Sequence, residues 1–284
     1  MGRTILFYLQ DWRAVMNVLL ANVGLVNLVA ASAVLIAGLV IYFFSMPKAF
    51  ADYAYMKRAF EYWLLQWSAI VLLYIIYWIW SGGSRIWVLA GADLQSVFAF
   101  GFAFVMIAGG DYRRQRTIQS LVILFVILAL WNLGFAGSAL HSPPLSMLRR
   151  LWVFPSEVAS ATSLILIAFV FLRRYGYRTA GLTIVIAAYL LLQRPAYAGL
   201  FVKPPENRDW LLLLAFGKLL YGCVMYATFF LDAREHGPIA LPTFGLQNEQ
   251  TRNLARGAIA VVCGTIIHMA AFYAAVALQP FVTR

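Results

Sequence analysis

The sequence predicts an all-α, polytopic membrane helix bundle of about eight transmembrane helices. Three observations carry that expectation. The chain of 284 residues is 63% apolar and only 12% charged, too few charges to cover a water-facing surface of that size. Its mean hydropathy is +0.79. The apolar residues also fall into runs long enough to cross about 30 Å of hydrocarbon, which takes roughly 20 residues of helix.

Taken in order, the runs fall at 17–44, 61–80, 86–108, 117–137, 150–172, 179–201, 210–232 and 255–279. They lack the alternation of barrel strands, and in lipid only helices and closed barrels satisfy their own backbone polar groups. The organisation read from these runs is an interfacial N-terminal segment (1–16), a seven-helix bundle (17–236), a cytoplasmic loop (237–254), and an eighth helix with the C-terminus (255–284). In the first segment Arg3 and Arg13 flank a stretch too short to span, with Phe7, Tyr8 and Trp12 placed for headgroup level. Turn-forming residues separate the runs: Gly82 and Gly83 after the second, Pro143 and Pro144 after the fourth, Pro204 and Pro205 after the sixth, and Gly237, Pro238 and Pro242 in the long loop.

The net charge of +11 does not point to nucleic acid. The cations lie between apolar runs, which is the pattern of cytoplasmic loops rather than of a binding face. One set of ends carries Lys48, Lys57 and Arg58, then Arg113, Arg114 and Arg116, then Arg173, Arg174 and Arg178, then Arg234, Arg252 and Arg256. The other set is sparser: Arg3, Arg13, Arg85, Arg149, Arg150, Lys203, Arg208 and Arg284. The denser set is assigned to the cytoplasm of a bacterial inner membrane, which leaves the N-terminus outside.

An ionisable side chain at the centre of a span costs ~2.5–3.5 kcal/mol on insertion scales, so such residues are where function is sought. Four qualify: Asp93, Glu157, Arg194 and Lys218. Counted along their helices, they sit on the order of 10–12 Å below the outer boundary. Two acids and two bases at one level could neutralise one another and line an outward-opening pocket for a small polar or zwitterionic ligand. Tyr221 shares the helical face of Lys218. The competing reading places Arg194 and Lys218 as snorkelling side chains and Glu157, two residues after Pro155, in an ordinary helix start. Asn132 is read as an interhelical hydrogen bond and His268 as a packing residue. Cys223 and Cys263, both in apolar runs, are read as small buried hydrophobes. No phosphate loop, nucleophile elbow or paired metal-ligand motif occurs in the sequence. The expectation is therefore a non-enzymatic protein with no cofactor, working with the lipid bilayer and a membrane protein partner.

Two resemblances bear on function. Residues 17–236 resemble the seven-span membrane sensor regions that precede bacterial diguanylate cyclases and histidine kinases. The resemblance rests on the aromatic-basic stretch Met56 to Trp63, on Ala92 to Gln95 running to Asp111 to Arg114, and on Gln193-Arg194-Pro195-Ala196-Tyr197 followed by Trp210 and a helix ending Leu231 to Glu235. It implies a sensor or transducer. Where such proteins continue into an output domain, this chain continues into a loop and an eighth span, so output would pass to a membrane partner. Lys218, within Phe216 to Gly222, also resembles the retinal-bearing lysine in the seventh helix of microbial rhodopsins. That resemblance implies a counter-ion role for Asp93, although Leu214 stands where those proteins carry an acid one turn earlier. A transporter or proton-coupled channel, and an accessory subunit of a larger membrane complex, remain open readings.

Overall fold

A computed structural model describes residues 15, 17–19, 22–45, 54–79, 85–140, 147–175, 208–231 and 239–282. The described residues are helical apart from short connections, with no strand among them. The helices are α1 (Val23–Val40), continued by a π-helical turn (Ile41–Ser45), α2 (Ala54–Ile79), α3 (Arg85–Ala108), a 3-10 turn (Gly109–Asp111), α4 (Arg114–Leu140), α5 (Met147–Tyr175), α6 (Arg208–Leu231) and α7 (Glu249–Val282). Five segments are long and apolar enough to cross a membrane: Gly24–Ser45, Ala54–Ile76, Ala90–Asp111, Arg114–Gly134 and Pro155–Arg174. A shorter apolar stretch, Leu212–Ala227, lies in α6. The bundle is compatible with an integral membrane protein. The sixth predicted span, 179–201, and the N-terminal segment 1–14 lie outside the described residues.

Most of the observed helices run beyond their predicted spans, because polar first and last turns carry the helix past its apolar centre. The second, predicted from residue 61, begins at Ala54 and so takes Lys57, Arg58 and Glu61 into its opening turns. The fifth begins at Met147, which puts Pro155 inside the helix rather than at its start. The helix-start reading of Glu157 fails for that reason: almost three turns of helix precede it. The last runs for 34 residues.

Helix polarity follows from contacts at named positions. Arg174, at the end of α5, donates to the Tyr55 hydroxyl at 3.0 Å and to the Met106 carbonyl at 2.6 Å. The end of α5 therefore meets the start of α2 and the end of α3. The Ile239 amide donates to the Ile107 carbonyl at 3.0 Å, so the segment entering α7 closes the same end. A helix C-terminus leaves carbonyls without intrahelical donors; here an arginine and a passing backbone amide supply them. Asn248 starts α7, its Oδ1 accepting from the Gln250 amide at 2.8 Å, the capping that an N-terminal asparagine provides. Arg256 reaches back to the carbonyls of Pro242 and Leu241. Arg58, Arg114, Arg174 and Arg256 are thus gathered at one end of the bundle, called here the basic end.

The core is aromatic. Phe60, Trp63, Trp67, Phe102, Phe171 and Tyr221 are essentially fully buried and join α2, α3, α5 and α6. The Trp63 ring lies 5.1 Å from that of Tyr221, 5.8 Å from Trp67 and 5.9 Å from Phe102, and Phe102 stacks on Phe171 at 6.0 Å. In lipid such a core gains little from leaving its solvent, since tails are as apolar as the side chains; close packing and hydrogen bonds hold it. Other large apolar side chains face outward, among them Val122, Ile123, Ile127 and Leu130 on α4. A water-facing helix would not carry them. Both cysteines are free, and Cys223 is exposed rather than buried, because it falls on the outward face of α6 beside Leu219 and Leu220.

Two glycines set helix spacing. A methyl group at Gly222 of α6 would strike the Val34 side chain of α1, its Cβ 2.6 Å from Cγ1. At Gly264 of α7 it would strike Thr162 of α5, including the backbone Cα at 3.2 Å. Small residues of this kind let backbones approach in membranes. The Thr162 backbone cannot step aside, so Gly264→Val should pry α7 from α5 and cost about 1–3 kcal/mol. A lowered unfolding midpoint in mild detergent is the expected readout, and an unchanged midpoint would contradict the contact.

Candidate functional site

Lys218 sits in the third turn of α6 and is 2% exposed. Its Nζ donates to Asn27 Oδ1 of α1 and to the Tyr74 hydroxyl of α2, both at 2.6 Å. It also lies 3.8 Å from the Tyr74 ring centroid, so the ring face adds cation–π attraction. Asn27 is fully buried. The lysine therefore does not snorkel; it ties three helices together from inside. Tyr221, one turn further along α6, packs between Trp63 and Trp67.

Asp93 is also fully buried, in the third turn of α3. Its Oδ2 accepts from Asn132 Nδ2 of α4 at 2.5 Å. The same amide nitrogen reaches the Ser156 hydroxyl of α5 at 3.4 Å. Asn132 thus makes the interhelical bond expected of it, and makes it to the acid. Gly91, two residues before Asp93, abuts Leu73, next to Tyr74. The Asp93 end of α3 therefore packs against the part of α2 that carries Tyr74.

The described hydrogen bonds of Asp93 and Lys218 go to different helices. The hydrogen-bond partners of Asp93 come from α4 and α5, those of Lys218 from α1 and α2. An ion pair, Arg58–Glu61, lies at the basic end. Among the described residues these hydrogen bonds form two polar knots; the expected pocket also includes Arg194, which lies outside them. Neutral groups meet each ionisable side chain locally: Asn27 and Tyr74 accept from Lys218, and Asn132 donates to one oxygen of Asp93. Glu157 is half-exposed beside buried Ser156 and has its own partner. Arg194 lies outside the described residues, and so does the side chain of His268.

The partners Asn27, Tyr74 and Ser156 were not singled out by charge or motif. A signal was present for Asn27, a lone amide in the apolar run Val23 to Ala37, since a polar residue there must find an interhelical partner.

Among the described residues, large side chains pack between Lys218 and the basic end. Along α6 from Lys218, the chain presents buried Tyr221, Met225 and Tyr226; along α2 from Tyr74, it presents Trp67, Trp63 and Phe60. The Tyr226 hydroxyl is used internally, donating to the Val34 carbonyl at 2.6 Å. In comparisons with protein-family models, curated proteins and solved structures, none matches the chain.

Proposed function

We infer that this chain is a non-enzymatic, multi-pass protein of a bacterial inner membrane that acts as a sensor-like transducer or scaffold through a second membrane subunit. The observation that carries the reading is the aromatic plug below two buried polar knots. An ion pathway needs polar groups or water along its whole length. The buried ionisable side chains of the described interior are Asp93 and Lys218; toward the basic end the buried polar side chains Gln66, Thr162 and Ser163 are neutral and stand among packed Trp, Phe, Met and Tyr. The arrangement favours a protein that couples helix positions over one that moves a solute. The lysine knot joins α1, α2 and α6, and the aspartate knot joins α3, α4 and α5. A polar ligand competing for either set of bonds would shift three helices together.

Helix polarity supports eight spans. α5 ends at the basic end. α6 runs parallel to α1, since Lys218 meets Asn27 while Tyr226 meets Val34; it therefore starts at the opposite end. One further crossing between Tyr175 and Arg208 makes the count even, and the apolar run 179–201 has the length for it. The basic end is then cytoplasmic.

Two measurements test this. Reconstituted in liposomes with an interior pH dye, the protein should give no flux above empty vesicles. Flux that disappears in Asp93→Asn would replace the transducer with a transporter. Purification in mild detergent should retain a membrane partner in fixed ratio; a chain that purifies alone at every detergent strength would remove the scaffold reading.

A further inference from the structure

A groove of about 380 Å³ opens on the flank of the bundle between α2, α3 and α4. Its mouth is at the basic end and polar, formed by Arg58, Glu61, Tyr62, Tyr112 and Arg114. Its length is apolar, with buried Val97 and Leu121 as the floor and Leu65, Phe98, Val122 and Phe125 as the walls. It is thus amphipathic along one axis, charged at one end and hydrocarbon-like for the rest.

The dimensions have a natural reference. From Arg114 to Phe125 along α4 is eleven residues, about 16 Å at 1.5 Å per residue. One leaflet of a bilayer with a ~30 Å hydrocarbon core is about 15 Å deep. The groove runs from headgroup level to the midplane, the span of one acyl chain.

The charge at the mouth selects among lipids. Glu61 is occupied: it accepts from Arg58 at 2.6 Å and from the Tyr42 hydroxyl at 2.8 Å. That leaves Arg114, which is exposed and pairs with no acid among the described residues, as the net cation. Tyr62 and Tyr112 place their hydroxyls 3.4 Å apart beside it, two donors able to turn toward a phosphate oxygen. Arginine with flanking hydroxyls suits a phosphodiester, as a charge-assisted donor set.

We propose that the α2–α3–α4 groove is a binding site for one anionic phospholipid of the leaflet at the basic end, its phosphate held by Arg114 with the Tyr62 and Tyr112 hydroxyls and one acyl chain lying along Val97, Leu121 and Phe125. A net single cation near the membrane surface corresponds to about a fivefold preference for an anionic over a zwitterionic headgroup.

The test is native mass spectrometry of the whole chain, released from mixed micelles containing dioleoyl phosphatidylglycerol and dioleoyl phosphatidylcholine in equal amounts. Wild type should retain one phosphatidylglycerol about fivefold over phosphatidylcholine. Arg114→Gln should bring the two lipids level. Val122→Trp, at an exposed wall position that folding does not depend on, should reduce retention of both by filling the chain groove. Its thermal midpoint should match wild type, which separates blockage from misfolding. Inorganic phosphate at millimolar concentration should not displace the lipid, because it cannot occupy the apolar length. Equal retention of both lipids by wild type, an unchanged preference in Arg114→Gln, or full displacement by inorganic phosphate would each overturn the assignment.

Discussion

Replacing Asn27 with Leu is expected to destabilise the fold by about 3–5 kcal/mol, the range for stranding a buried charge. The substitution leaves the ammonium group of Lys218 inside the bundle with the Tyr74 hydroxyl and ring alone, and the side chain is too deeply packed to reach an interface. Lys218→Met should cost less, about 1–3 kcal/mol, since it leaves two neutral groups with reduced bonding rather than a stranded cation. The double variant, Asn27→Leu with Lys218→Met, should be more stable than the sum of the two losses implies, because the second change removes the charge that the first exposed. Unfolding by denaturing detergent, followed by circular dichroism, measures all three. A single Asn27→Leu loss no larger than that of Lys218→Met would mean that the amide is not what holds the lysine.

The second large effect is at Asn132. Its amide is the donor to the buried Asp93 carboxyl and also reaches Ser156. Asn132→Leu is isosteric enough to keep packing, yet it removes the amide donor and leaves the buried Asp93 carboxyl with Ser156. The expected loss is on the order of 3 kcal/mol. Asp93→Asn in the same background should recover part of it, since an amide is less costly to bury than a carboxylate. Between the two knots the expectation is different: Lys218→Met and Asp93→Asn should add within about 0.5 kcal/mol, because their partners lie on different helices. A coupling larger than that would bring back the single charged cluster.

How much of this was legible in the sequence depends on the physics each residue obeys. The cost of an isolated charge in hydrocarbon picks out Asp93 and Lys218 from composition alone, and their offsets along the helices place them at one level. Asn132 was legible as an interhelical hydrogen bond, but which group it meets was not, and Tyr74 and Ser156 are neutral residue types common in apolar runs. Hydropathy located the helices well where charge ended at the helix end, as in Arg85–Ala108. It failed where polar turns extend an apolar helix, as at Lys57 to Glu61, and at Pro155, whose presence suggested a boundary inside a continuous helix. The α2–α3–α4 groove was invisible, since no local pattern distinguishes a side chain facing a groove from one facing lipid.

The 34-residue length of α7 carries its own consequence. At 1.5 Å per residue it measures about 51 Å, some 20 Å more than the oily slab it would cross. Such a rod is out of scale with its surroundings and is fastened at its head by Arg256, so the excess must be absorbed by slant or by a projecting stub. Slant changes with bilayer thickness. Set across the sheet as the sequence predicts, the last helix would answer to its thickness through slant.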